Sequence, residues 1–176
     1  VWVASAIAEI EADRGEFEAA RGHAHEGVTR SRELDQTALA IWSLNAEGYV
    51  LLRAGDPEQA LERFEEALER VDRTGVRIAR GLAYWNAVEA LIRLGRFDDA
   101  RARIERKGTQ RDSPDRQENL AVSFSRGMLL LAEGRPDEAL RELQPVVTEA
   151  ETAGLILLLA RALLLRAKAL FALGRD

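Results

Sequence analysis

The sequence predicts an all-α array of about nine antiparallel helices. Three observations point to it. A glycine-led phrase returns about every 40 residues. The stretches between phrases carry the helical period. None of them shows a sustained alternation of period two.

The phrase reads Gly15-Glu16-Phe17-Glu18-Ala19-Ala20, Gly55-Asp56-Pro57-Glu58-Gln59-Ala60, Gly95-Arg96-Phe97-Asp98-Asp99-Ala100 and Gly134-Arg135-Pro136-Asp137-Glu138-Ala139. Gly174-Arg175-Asp176 opens a fifth copy, and the glycines are 40, 40, 39 and 40 residues apart (55−15, 95−55, 134−95, 174−134). Each position has a physical reason. Glycine ends a helix because it takes the left-handed C′ conformation without strain. The polar residue after it turns the chain. Phe or Pro opens the next helix, and proline suits a first turn, where its missing N–H costs nothing. Acids such as Glu58 or Asp98-Asp99 then sit at the positive end of the new helix. The closing alanine is small where two helices cross closely.

Between phrases, Leu44, Gly48, Leu51 and Leu52 step with helical spacing. So do Ala60, Leu61, Phe64, Ala67, Leu68 and Val71. The expected helices are 2–14, 16–33, 37–54, 57–73, 77–94, 97–107, 116–133, 136–153 and 155–173. Paired by short turns, they give one array over 1–176, with hairpins at about 1–34, 37–73, 77–107, 116–153 and an incomplete 155–176. Lys107 to Asp115, with Gly108, Ser113 and Pro114, is the one loop of some length, and the period slips there from 40 to 39.

Composition narrows the class. Of 176 residues, 47% are hydrophobic and 31% charged, a globular balance for a chain long enough to bury a core. The longest apolar run, Leu155 to Ala160, ends at Arg161, far short of the roughly 20 residues that span a bilayer. The net charge of −5 argues against general nucleic-acid binding, which needs a basic face. Cysteine is absent, which excludes disulfides and thiolate chemistry and fits a reducing, cytoplasmic setting. Val1 reads as mid-helix, and Leu155 to Leu173 is more apolar than a polar capping helix. Both lead us to expect a segment of a larger protein.

Catalytic and metal chemistry find no support. His23 and His25 are two residues apart on one helix, so they point to different faces. With no cysteine, no zinc-ligand spacing exists. No glycine-rich phosphate loop appears. The acid pairs Glu65-Glu66 and Asp98-Asp99 lie on solvated helix stretches, without the dry cleft that separates carboxylate pKa values. Arg101, Arg103, Arg106, Lys107 and Arg111 are interrupted by Glu105 and Asp112, as on a charged helix face. We therefore expect no enzyme, no cofactor and no metal.

The pattern resembles the tetratricopeptide repeat. Its small residue, turn glycine, second-helix alanine, aromatic and alanine correspond to Gly48, Gly55, Ala60, Phe64 and Ala67. A second copy reads Gly127, Gly134, Ala139, Leu143 and Val146. The family's usual repeat is about 34 residues. This longer form is similar to the arrays of large bacterial MalT-like and LuxR-type transcriptional regulators, and to those of signalling kinases, cyclases and CHAT proteases. The resemblance implies a right-handed α–α superhelix whose concave wall is made by the first helix of each pair, with its second, fifth, ninth and twelfth residues facing the groove.

Counting back from each turn glycine places Trp2, Trp42, Asn45, Tyr49 and Leu52 on that wall. Trp85, Glu89 and Ile92 follow, then Phe124, Met128 and Leu131, and finally Arg161, Leu164, Lys168 and Phe171. All three tryptophans fall there, and rigid aromatic surfaces are favoured at binding hot spots. The same rings could instead be ordinary core. A co-chaperone carboxylate clamp needs lysine and asparagine at the fifth and ninth positions. The pairs here are Ser5/Glu9, Asn45/Tyr49, Trp85/Glu89, Phe124/Met128 and Leu164/Lys168, none of which matches. The resemblance thus implies a scaffold or sensor that holds a protein or peptide in the groove formed by Trp42, Asn45, Tyr49, Trp85, Glu89, Phe124, Met128, Arg161 and Lys168. Neighbouring domains of the same chain are further partners, nucleic acid and membrane are not, and copies could associate through the apolar ends. The alternatives are a structural spacer, or an array that regulates an attached protease, kinase or cyclase.

Overall fold

The computed structural model describes residues 1–76, 79–108 and 116–175, with 107, 108 and 117 described as backbone only. Among the described residues there are nine helices: α1 Trp2–Arg14, α2 Phe17–Glu33, α3 Thr37–Arg53, α4 Pro57–Thr74, α5 Arg80–Arg93, α6 Phe97–Gly108, α7 Arg116–Ala132, α8 Pro136–Thr152 and α9 Ile156–Ala172. The expected loop after residue 107 falls largely outside the described residues, as do Arg111, Asp112, Ser113, Pro114 and Asp176. Two compact units form, Val1–Leu94 with α1 to α5 and Gly95–Asp176 with α6 to α9.

The turn phrase does the work its residues suggest. At Gly55, φ is +89°, its N–H donates to the Leu52 carbonyl at 3.3 Å, and the Asp56 N–H donates to Leu51 at 3.0 Å. This double bond closes the orphan carbonyls of α3. The same pair of bonds recurs at Gly15, Gly134 and Gly174. The next residue starts the second helix in two ways. Asp56 caps α4 by accepting from the Gln59 N–H at 3.1 Å. Arg96 and Arg135 instead reach three residues on, to Asp99 and Glu138, both at 2.6 Å. The Arg135 guanidinium holds the Glu138 carboxyl below its usual range.

In the first unit, α3 is the most enclosed helix. Ile41, Leu44 and Leu52 have 1% exposure or less, and α4 covers them with Ala60, Phe64, Ala67 and Val71. The Phe64 ring crosses directly over Gly48. A Cβ built there would lie 2.6 Å from Phe64 Cε1. In the second unit, α8 repeats the stripe with Ala139, Leu143, Val146 and Ala150, all fully buried, and Leu143 lies over Gly127 at 2.7 Å in the same sense. Beside each glycine sits an ion pair with its signs exchanged. Glu47 faces Arg63 at 4.0 Å in the first unit, and Arg126 faces Glu142 at 3.2 Å in the second. Burial pushes the Glu47 carboxyl up, against the opposing pull of Arg63.

Polar side chains tie one repeat to the next. Asn86 on α5 donates to Asn45 on α3 at 3.1 Å, and both are about 1% exposed. Arg93 on α5 donates to the Leu52 carbonyl at 2.9 Å, at the negative end of α3. On the other side of α3, Tyr49 donates to Asp13 at 2.5 Å and Arg53 pairs with the same carboxylate at 3.3 Å.

Candidate partner-binding wall

In the first unit the expected wall positions divide into exposed and buried residues. Trp2 on α1 and Trp42 on α3 stand 40 residues apart (42−2), and their rings meet at 5.4 Å between centroids, tilted by 31°. That contact is within the range where aromatic pairs attract. Trp2 is 58% exposed and Trp42 partly so. The other positions expected there, Asn45, Tyr49 and Trp85, are buried, exposed by 1%, 9% and 5%. Asn45 and Tyr49 are occupied by the Asn86 and Asp13 bonds described above. Glu89 is partly exposed and pairs with Arg93 one turn on, at 2.7 Å.

In the second unit the expected positions divide the same way. Phe124 and Met128 on α7 are buried, at 2% and 9%. On α9, Arg161 is partly exposed and Lys168 exposed. Five of the nine expected groove residues are thus buried, and Trp42, Glu89, Arg161 and Lys168 keep some exposure. Leu52, also placed on the wall by the spacing, is fully buried under α4.

Spacing missed two things. Asn86 is not a groove position, yet it holds Asn45. Its distance of 41 residues rather than 40 puts it one step round the helix, toward the preceding repeat. His23 Nδ1 lies 2.8 Å from a Glu11 carboxylate oxygen, so α1 and α2 share an ion pair when the ring is protonated. That hydrogen bond raises the imidazole pKa. Among the described residues, no group of three His, Cys, Asp or Glu side chains is placed to hold a metal ion. No helix of the described residues is long and apolar enough to cross a membrane.

No curated protein and no solved structure matches the chain. Tetratricopeptide repeat profiles match most of it, one over residues 1–73 and another over 45–115 and again over 86–150. With that coverage and with helices packed in the expected order inside each unit, the chain belongs to the tetratricopeptide repeat family.

Proposed function

We propose that the chain is a protein- or peptide-binding module, and that the Trp2–Trp42 pair is the anchor of its binding wall. The single observation that carries this is a pair of large rings, one repeat apart, in contact with each other, with Trp2 open to solvent and Trp42 partly so. An exposed aromatic pair offers a partner a broad, rigid apolar surface at little entropic cost. In the same unit, the partly exposed Glu89 supplies charge that selects among partners. The ligand is a polypeptide segment with apolar side chains for the rings. Tetratricopeptide repeats typically bind protein or peptide partners.

The 40-residue period supports a finer reading, in which the array is the sensor or scaffold segment of a cytoplasmic MalT-like or LuxR-type bacterial regulator. A second reading rests on a different observation. Asn45, Trp85, Phe124 and Met128 are all buried, as they would be in a spacer whose wall is simply core. Site-specific photo-crosslinking separates the two. A benzophenone side chain at position 42 is expected to capture a discrete protein from the native host, and the same group at position 105, on α6, is not. Equal labelling at both positions, or none at 42, favours the spacer.

A further inference from the structure

A cleft of about 270 Å³ opens between α7 and α8 in the second unit. Arg116, Leu120 and Ser123 line it from α7, and Pro145, Val146 and Glu149 from α8. Two departures from the repeat make this space. Ser123 stands 11 residues before its turn glycine (134−123), where the other first helices have Ala4, Leu44, Tyr84 and Leu163. Leu44 is 1% exposed and packs with Ile41 and Ala67, the counterparts of Leu120 and Val146. Ser123 is shorter than Leu44, and the gap it leaves is taken up only in part by Val146, which is larger than Ala67.

The second departure is Pro145, 11 residues after the turn glycine (145−134). The other second helices carry a long charged side chain there, Glu26, Glu66 or Arg106. Glu66 reaches Arg63 at 3.1 Å and Arg70 at 3.0 Å, so its charges run along α4. Pro145 offers no such partner. Glu149, the counterpart of Arg70, turns instead across the cleft to Arg116 at 2.7 Å. Leu120 and Val146 are buried, while the side chains of Arg116 and Glu149 are 69% and 36% exposed. The cleft is therefore an aliphatic hollow with one base and one acid at its mouth.

That arrangement specifies a ligand. A free α-amino acid carries its ammonium and its carboxylate on one carbon, so both can meet a mouth whose own charges lie 2.7 Å apart. A residue inside a peptide has neither charge. The carboxylate pairs with the Arg116 fork and the ammonium with Glu149. Opening the existing pair costs little, because exposed ion pairs contribute little, and each member gains a new partner. A branched aliphatic side chain then fills the place that Leu44 fills beside α4. We propose that the α7–α8 cleft binds a free branched-chain α-amino acid of the leucine type. This is a small-molecule site, and it needs no residue of the first unit.

The test is an NMR titration of the whole 176-residue chain, isotope-labelled, with leucine. It runs to about 10 mM, because so few ligand atoms bound the affinity. Saturable amide shifts are expected at 119–123 on α7 and 146–149 on α8. N-acetylleucine lacks the ammonium, leucinamide the carboxylate and glycine the side chain, and each is expected to bind at least about tenfold more weakly. Ser123→Leu supplies the residue that α3 uses, and is expected to abolish binding with the helical circular dichroism unchanged and melting equal or higher. Glu149→Gln, at the mouth, is expected to weaken leucine by about tenfold. No saturation with leucine overturns the proposal, and so does binding that Ser123→Leu leaves unchanged. Equal binding of leucine, N-acetylleucine and leucinamide overturns it as well, because the two charges at the mouth would then select nothing.

Discussion

Replacing one glycine by alanine should have opposite signs at two helical positions of this chain. Gly22 lies inside α2, and an added Cβ there meets nothing within 4 Å. Gly22→Ala should gain the propensity difference of about 1 kcal/mol. Gly48 lies inside α3, and its added Cβ would sit 2.6, 2.8 and 3.0 Å from three atoms of the Phe64 ring. That ring is fully buried between α3 and α4 and cannot swing into solvent. Overpacking of this kind costs about 1–3 kcal/mol, so after the same propensity gain Gly48→Ala should be neutral to destabilising by about 2 kcal/mol. The two variants should therefore differ by about 1–3 kcal/mol. For a chain of this size, each kcal/mol moves Tm by about 2–4 °C. Repeat arrays unfold by parts, so melting should be read together with amide exchange of α3 and α4. Gly127→Ala should behave like Gly48→Ala, with the loss confined to α7 and α8. If Gly48→Ala stabilises as much as Gly22→Ala, the close crossing of α3 and α4 is wrong, and with it the register of the array.

Three further outcomes follow from the same packing. The His23 pKa is raised by its bond to Glu11, so that pair stabilises the fold below the ordinary imidazole value of 6.5 and is lost as pH rises through the higher folded value. Tm should fall across that rise, and His23→Gln should flatten the fall; an unchanged pH profile in the variant argues against the pair. Asn45→Leu removes the acceptor of the buried Asn86 amide and should cost about 1–3 kcal/mol in denaturant melts. Adding Asn86→Leu should recover part of it, and strict additivity would show that the two amides do not interact. Ala139→Trp forces an indole into a fully buried helix crossing and should open α7–α8 at a cost of about 1–3 kcal/mol or more. Unchanged melting would count against the second unit's packing.

Helix positions were legible because two signals coincide in this chain. The turn glycines end the first helices with left-handed geometry, and the phrase after them places an acid or proline at the next start. Predicted and observed boundaries agree to within a few residues in every element, and α8 runs through Pro145 as its apolar period implies. The start of α5 differs most. It begins at Arg80, where a start near 77 was expected, after Ala79 takes a left-handed φ of +58° that no glycine announces.

The wall was less legible. Spacing along one helix says which residues share a face, but burial depends on what crosses that face. Asn45 and Trp85 occupy corresponding positions one repeat apart (85−45=40), yet their surroundings come from residues that differ between repeats. Asn45 is sealed by Asn86, and Trp42, whose ring meets that of Trp2 at the start of α1, keeps partial exposure. Gly48 and Gly127 show the converse. Sequence marks them as small residues in a repeat, while only the structure shows Phe64 and Leu143 pressing on them.

The most direct test of the binding wall is acrylamide quenching of tryptophan fluorescence, using three chains that each keep one tryptophan with the other two changed to Phe. Each is measured alone and again after capturing a protein from lysate of the native host. The account predicts strong quenching of Trp2, intermediate quenching of Trp42 and weak quenching of Trp85 in the free chain, with Trp2 and Trp42 becoming shielded in the complex. Trp2 and Trp42 already shielded in the free chain, or equally quenched in the complex, would contradict it.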